Sequence, residues 1–258
     1  MAKFRRYLTV ILVVLGLGAP GVRAQEATDP NATISVKFTV FAPRAVKGMV
    51  YFSEGDKKPP SLLKFYNSYR SPVYDYEGGS VLRFYDEAEV AAALTAYAAA
   101  QAAASPGQVV PKPVLRPTAV CAIPAGATKV FLLFMPRPGA AIGGFKYDIF
   151  VMDDGETSVP PGHFVMINAS KMEMFARING NDTKILRGVS APIKADKDLV
   201  IFMAARIEPE YHKLLIADTW DLGPRQRNLL IFFPPRTATA LLPDVVRLND
   251  EVPEEKKK

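Results

Sequence analysis

Cysteine, histidine and tryptophan are the scarcest residues in this chain: one, two and one among 258. A single cysteine excludes an intrachain disulfide and every multi-cysteine zinc pattern. The two histidines, His163 and His212, are too few for a three-histidine metal site. Also missing are a Walker loop, a dinucleotide fingerprint after a strand, a Gly-x-Ser-x-Gly elbow and a His-Glu-x-x-His pair. The sequence therefore implies no catalytic residue, no metal and no cofactor. Paired carboxylates survive this filter, because such residues meet only in three dimensions.

What is present begins with an export signal. Lys3, Arg5 and Arg6 precede a mostly apolar run over residues 8–17, and small residues lead to Val22-Arg23-Ala24 ahead of Gln25. A basic start, a short apolar core and an Ala-x-Ala-like end form a secretory signal peptide over residues 1–24. The apolar stretch is about half the roughly 20 residues that a bilayer span requires. No cysteine sits at the cleavage site to take a lipid, since the only one is Cys121. The mature chain is expected in the periplasm, at the cell surface or in the medium, with no membrane span left after signal removal.

Cleavage also changes the electrostatics. The formal charge is +6, from 32 Lys and Arg against 26 Asp and Glu, and Lys3, Arg5, Arg6 and Arg23 leave with the signal. The remaining 28 against 26 gives +2, with no clustered basic stripe. Nucleic acid is excluded as a partner on that ground. Cys121 lies in an apolar strand-like segment with no cation close in sequence, and reads as a small buried hydrophobe.

Strand patterns dominate the rest. Residues 34–40 alternate apolar and polar without a slip, the signature of a half-buried strand. Similar segments follow at 48–53, 62–66 and 81–85, broken by Gly55-Asp56 and Pro59-Pro60. The runs 130–135 and 229–233 are continuously apolar, which predicts strands covered on both faces. Between them, segments at 146–152, 163–167, 172–178, 183–187, 199–205 and 211–218 are separated by turns, the clearest at Asn179-Gly180. Closely spaced short strands without helical crossovers predict an all-β, antiparallel, immunoglobulin-like sandwich. The pattern of residues 38–56 recurs faintly at 164–182, which suggests tandem sandwiches.

One segment departs from this period. Asp86-Glu87-Ala88-Glu89 resembles a capping box, and residues 90–104 are almost all helix formers. Val90, Leu94 and Tyr97 fall on one helical face. Ser105-Pro106-Gly107 ends the helix, and the prolines up to Pro117 make the next stretch extended. The expected layout is a β domain at 25–85, a helix and proline linker at 86–117, a β-sandwich domain at 118–252 and a charged tail at 253–258. The helix reads as an inserted spacer in preference to a docking element.

Ile123-Pro124-Ala125-Gly126 precedes an apolar strand. Val151-Met152-Asp153-Asp154 is followed by Pro160-Pro161-Gly162-His163-Phe164 and Asn168-Ala169-Ser170, and Trp220 by Pro224-Arg225-Gln226-Arg227. Together these motifs resemble a group of exported bacterial β proteins with no established activity. The likeness covers about residues 34–250 and implies an envelope or secreted β protein. The alanine-rich helix looks like an insertion relative to that group.

Two candidate sites remain. Asp153-Asp154-Gly155-Glu156 offers calcium-type oxygens but lacks the alternating EF-hand spacing, and reads as a solvated hairpin turn. Tyr211, His212, Asp218, Trp220 and Asp221 combine aromatic rings with carboxylates at a strand end, residue types that would bind a glycan. Otherwise Trp220 is a core anchor whose indole N–H finds an acceptor. The expected function is non-catalytic, a structural or protein-interaction role at the bacterial envelope toward an envelope protein or polysaccharide. A glycan-binding module built on Trp220 is the alternative, and a carboxylate-dependent hydrolase the weaker one. Mass spectrometry of the exported chain should give an N-terminus at Gln25; a chain that keeps Met1 in the mature fraction would remove the export reading.

Overall fold

The computed structural model describes residues 33–53, 58–137, 144–195, 198–237 and 239–252. The expected signal segment, the Gly55-Asp56 break and the charged tail lie outside the described residues. The alternating segment after the signal becomes β1 (Thr33–Phe41), whose inward side chains Val36, Phe38 and Val40 are buried. It is followed by β2 (Met49–Tyr51), β3 (Ser61–Leu62), β4 (Tyr74–Gly79), β5 (Val81–Asp86), α1 (Glu87–Ala103), β6 (Ala119–Ala122), β7 (Lys129–Pro136) and β8 (Tyr147–Asp153). These strands form an inner sheet in the order β4-β1-β7-β8 and an outer sheet in the order β3-β2-β5-β6.

The second half contains β9 (His163–Asn168), β10 (Met174–Ile178), β11 (Asn181–Ile185), β12 (Gly188–Val189), β13 (Ile193–Lys194), β14 (Leu199–Glu208), β15 (Tyr211–Trp220), β16 (Gln226–Phe233) and β17 (Asp244–Glu251). Its inner sheet runs β12-β9-β16-β17, with β13 also pairing with β9, and its outer sheet runs β11-β10-β14-β15. Strand by strand, this repeats the first half. In each inner sheet one pair is parallel, β1 with β7 and β9 with β16, and the remaining pairs are antiparallel. Phe38 and Phe164, offset by 126 residues, are both fully buried in equivalent strands. The faint sequence echo therefore marks a repeat of topology. Strand β17 was not anticipated, because Val245-Val246-Arg247-Leu248 breaks strict alternation.

The expected domain boundary is corrected by the pairing. Strands on either side of residues 86–117 share sheets: β5 pairs with β6, and β1 with β7. The helix and proline segment is thus an excursion between two neighbouring strands of one outer sheet, and the chain passes between halves at residues 154–162. The Gly78-Gly79 pair marks a crossing from inner to outer sheet, where β4 pairs with β1 and β5 with β2. A side chain at position 78 would put its Cβ 2.7 Å from the Tyr76 hydroxyl, so it would have to displace a ring whose hydroxyl donates to Gly79 O at 2.8 Å.

Three apolar layers hold the sheets together. Val130, Leu132 and Phe134 of β7 join Phe38, Leu82 and Phe84 in the core of the first half. Leu230 and Phe232 of β16 join Phe164, Met203 and Trp220 in that of the second. The alternate residues, Phe131 and Leu133 on β7 with Leu229, Ile231 and Phe233 on β16, form a third core between the inner sheets. Continuous apolar runs follow directly, since both strands are covered on both faces.

A charged cluster closes one end of this third core. Asp154, fully buried, accepts from Arg70 Nη1 at 2.6 Å and lies 3.3 Å from Lys129 Nζ and 3.7 Å from Arg227 Nη2. Arg227 pairs with Asp250 and also donates to the carbonyls of Asp154 and Val159 at 3.1 and 3.3 Å. The solvated-turn and calcium readings of Asp153-Asp154 are therefore corrected. Asp153 shapes its turn by accepting from Gly155 N–H and the Ser158 hydroxyl, whereas Asp154 points into the joint between halves. Burial pushes the Asp250 carboxyl up, but Arg70, Arg227 and Lys129 outweigh it and hold the carboxyl below its ordinary value.

Because that folded-state value is depressed, the stabilisation by Asp250 is complete above the unfolded carboxyl range near 3.9. It is lost as pH falls through the folded value. Urea unfolding should thus show stability declining on acidification below about pH 4. Asp154→Ala should cost about 3–5 kcal/mol at neutral pH, because it strands buried cations. An unchanged urea midpoint in Asp154→Ala would contradict this role.

Candidate binding groove

The two halves share a strand order, so their clearest difference is the connection between the last two outer strands. In the second half β14 turns into β15 through Pro209 and Glu210. In the first half the same connection contains α1 and the proline segment. Asp86 caps the helix, accepting from Ala88 and Glu89 N–H at 3.1 and 3.4 Å, and is tied to Lys146 at 3.2 Å. The Lys146 hydrogen bond, with the cap, holds its carboxyl below the ordinary range. Val90, 2% exposed, anchors the first turn and is the helix's buried residue.

One turn further on, Leu94 and Tyr97 share a face, as their helical spacing predicted, and that face lines a groove. A turn at Ser105–Gln108, with Gly107 at φ +85, reverses the chain, and Lys112, Pro113 and Leu115 return along the groove's rim. The floor is the outward face of β5, where Val81, Arg83 and Tyr85 alternate with core residues Leu82 and Phe84. Phe52 meets Tyr85 edge-on at 5.4 Å. Pro59, Pro60 and the stretch Tyr76 to Gly79 complete a volume of about 730 Å³.

A second cleft of about 390 Å³ shares Lys58, Tyr76 and Glu77 with this groove, and adds Ser35, Ser53, Ser61, Tyr74 and Asp75. Its hydroxyls are held in place. Tyr51 donates to Asp75 O at 3.0 Å, Ser53 Oγ accepts from Glu77 N–H at 2.9 Å, and the Tyr74 hydroxyl accepts from Lys64 N–H at 2.7 Å. Burial raises the Tyr51, Tyr74, Tyr76 and Tyr85 phenols, which keeps them neutral donors. The combined surface offers aromatic faces, fixed hydroxyls, two carboxylates and several cations.

The residues expected from sequence lie elsewhere. Trp220 is 4% exposed, edge-on to Phe164 at 5.6 Å, with the Arg247 guanidinium 4.2 Å over its ring. Its Nε1–H donates to Asp218 Oδ2 at 2.8 Å. Of the two readings, the core anchor is what the geometry supports, because no ring face is open for a sugar. Asp221 follows Trp220 and is exposed. Tyr211 and His212 stand at the opposite end of β15, about 30 Å away at roughly 3.3 Å per residue. His212 packs edge-on against Phe175 at 4.9 Å on the outer face of the second half. The five residues therefore form no common site.

The groove residues escaped sequence reading because β3, β4, β5 and the insertion converge only through the sheet crossing. The usable signal was the alternation Val81, Arg83, Tyr85 beside a helix with a matching apolar stripe. Among the described residues, no group of three or more His, Cys, Asp or Glu side chains is placed to hold a metal. Compared with known proteins, the sequence matches no family model and no curated protein at a significant level.

Cys121, on β6 in the first core, has its thiol pushed up to about 12 by burial. Native protein at pH 8 should resist thiol reagents and become reactive only on unfolding; stoichiometric labelling of the folded chain would contradict that burial.

Proposed function

We propose that the chain is an exported, non-catalytic binding protein of the bacterial cell envelope, with tandem immunoglobulin-like halves and a groove beneath the inserted helix as its working surface. One observation carries this reading. A repeated framework differs chiefly by one excursion, and that excursion roofs an aromatic groove with Leu94, Tyr97 and Leu115. A pure spacer would have no need to place its apolar stripe over Tyr85 and Phe52. The export signal, the resemblance to exported β proteins and the absence of nucleophile motifs support the compartment and the non-catalytic role.

A glycan ligand is the second reading, moved from Trp220 to the groove. It is favoured by the ordered Ser and Tyr hydroxyls beside Asp75 and Glu77, which suit a chain of sugar rings lying on aromatic faces. A hydrolase using the same carboxylates would release new reducing ends from a bound polysaccharide.

The test replaces residues 87–117 with a Pro-Glu turn like that of β14 to β15. Calorimetric titration with cell-wall polysaccharides, and in-cell crosslinking from a photoreactive residue at Arg83 on the groove floor, which the replacement keeps, should both read the groove. Binding or a discrete envelope adduct is expected in the full chain and lost in the replacement, and Tyr85→Ala should weaken it about fivefold or more. An unchanged adduct after removal of 87–117 would overturn the assignment to this groove.

A further inference from the structure

The outer sheets of the two halves end differently. In the first half the edge strand β6 is covered, because Lys146 N–H at the approach to β8 donates to Thr118 O at the approach to β6, at 2.7 Å. In the second half β15 is an edge of 10 residues, and among the described residues no backbone hydrogen bond reaches its outer side. Beside it the sheet's outer face is apolar and open, with Phe202 44% and Leu214 54% exposed. Long edges of this kind template pairing with another strand.

We infer that β15 pairs antiparallel with β15 of a second copy about a two-fold axis between Leu215 and Ile216, joining the two outer sheets into one. The register follows from the bulge. Met203 pairs with Ile216 and Ala204 with Leu214, which leaves Leu215 extra, and both Leu215 and Ile216 pack toward the core. In a regular strand a two-fold axis between neighbouring residues would oppose side chains on different faces. The bulge removes that conflict. Lys213 and Asp218 share the inner face through their partners Ala205 and Ile201, and Leu214 and Ala217 share the outer face through Ala204 and Phe202.

In this register Lys213 of one copy lies opposite Asp218 of the other, twice about the axis. Lysine on an edge ordinarily deters pairing, but in this alignment it meets an opposite charge, whereas in the alignment centred on residue 213 it would meet itself. The Asp218 carboxylate is already oriented, accepting from Thr219 N–H and Trp220 Nε1 at 2.8 Å each. Leu214 then packs on Ala217 of the second copy, extending the apolar face. The inference is independent of the groove, which belongs to the other half.

Sedimentation of the full mature chain should show a monomer–dimer equilibrium at micromolar concentration. Lys213→Glu, an exposed change that leaves the fold intact by circular dichroism, should weaken dimerisation at least tenfold. The charge swap Lys213→Glu with Asp218→Lys should recover much of that loss. Because the swap also removes the Trp220 acceptor, Leu214→Cys with Ala217→Cys provides a second measurement: oxidation should give a covalent dimer on non-reducing gels. A chain that stays monomeric at all concentrations, a dimer indifferent to Lys213→Glu, or a cysteine pair that never crosslinks would overturn the proposal.

Discussion

The back-to-back packing of the two inner sheets is the contact on which the rest of the molecule depends. Strands β7 and β16 each bury one face in their own half and the other against their counterpart, so Phe131, Leu133, Leu229 and Ile231 sit at the centre of a four-sheet stack. Apolar burial of this kind is non-directional and would tolerate sliding. The cluster around Asp154 supplies direction. It joins Arg70 and Lys129 of the first half to Arg227 and Asp250 of the second, and its pairing is satisfied only when both halves are correctly set. A buried pair of this sort adds little net stability over an apolar substitute, but a broken one is costly. What the cluster adds is therefore alignment rather than net stability.

On that fixed frame, the duplicated topology frees the periphery. Each outer sheet has one buried face toward its own core, and its other face is available for elaboration. The first half uses the β5 to β6 connection to raise a helix and a stiff proline return over that face. The second half keeps a two-residue turn and leaves its face and edge open. The same position in the repeat thus yields a roofed groove on one side and an exposed strand on the other, and both outcomes are compatible with an interaction protein.

Legibility in the sequence tracked the range of the interactions involved. Helix α1 was readable because Asp86 and Glu89 form a local cap and Ser105-Pro106-Gly107 a local stop. The β10 to β11 turn was readable for the same reason, and Asn179 and Gly180 take the positive φ values of 48° and 81° that their types favour. Trp220 was readable as a core anchor only beside a rival glycan role, and Asp154 was not readable. Whether an aromatic beside carboxylates is an open platform or a core anchor depends on Arg247 and Phe164 arriving from β17 and β9. Whether two aspartates after a strand face water or arginines depends on Arg70 and Arg227, which are distant in sequence from both.

By itself, then, the sequence determined the β-rich class, the doubly covered strands, the inserted helix and the burial of Cys121, because each rests on periodicity or composition within a few residues. Only the tertiary structure decided where the halves divide, which sheet carries the insertion, where Trp220 points and which residues share a groove. Strand pairing is non-local, and a β-strand's pattern records that one face is buried without recording against what.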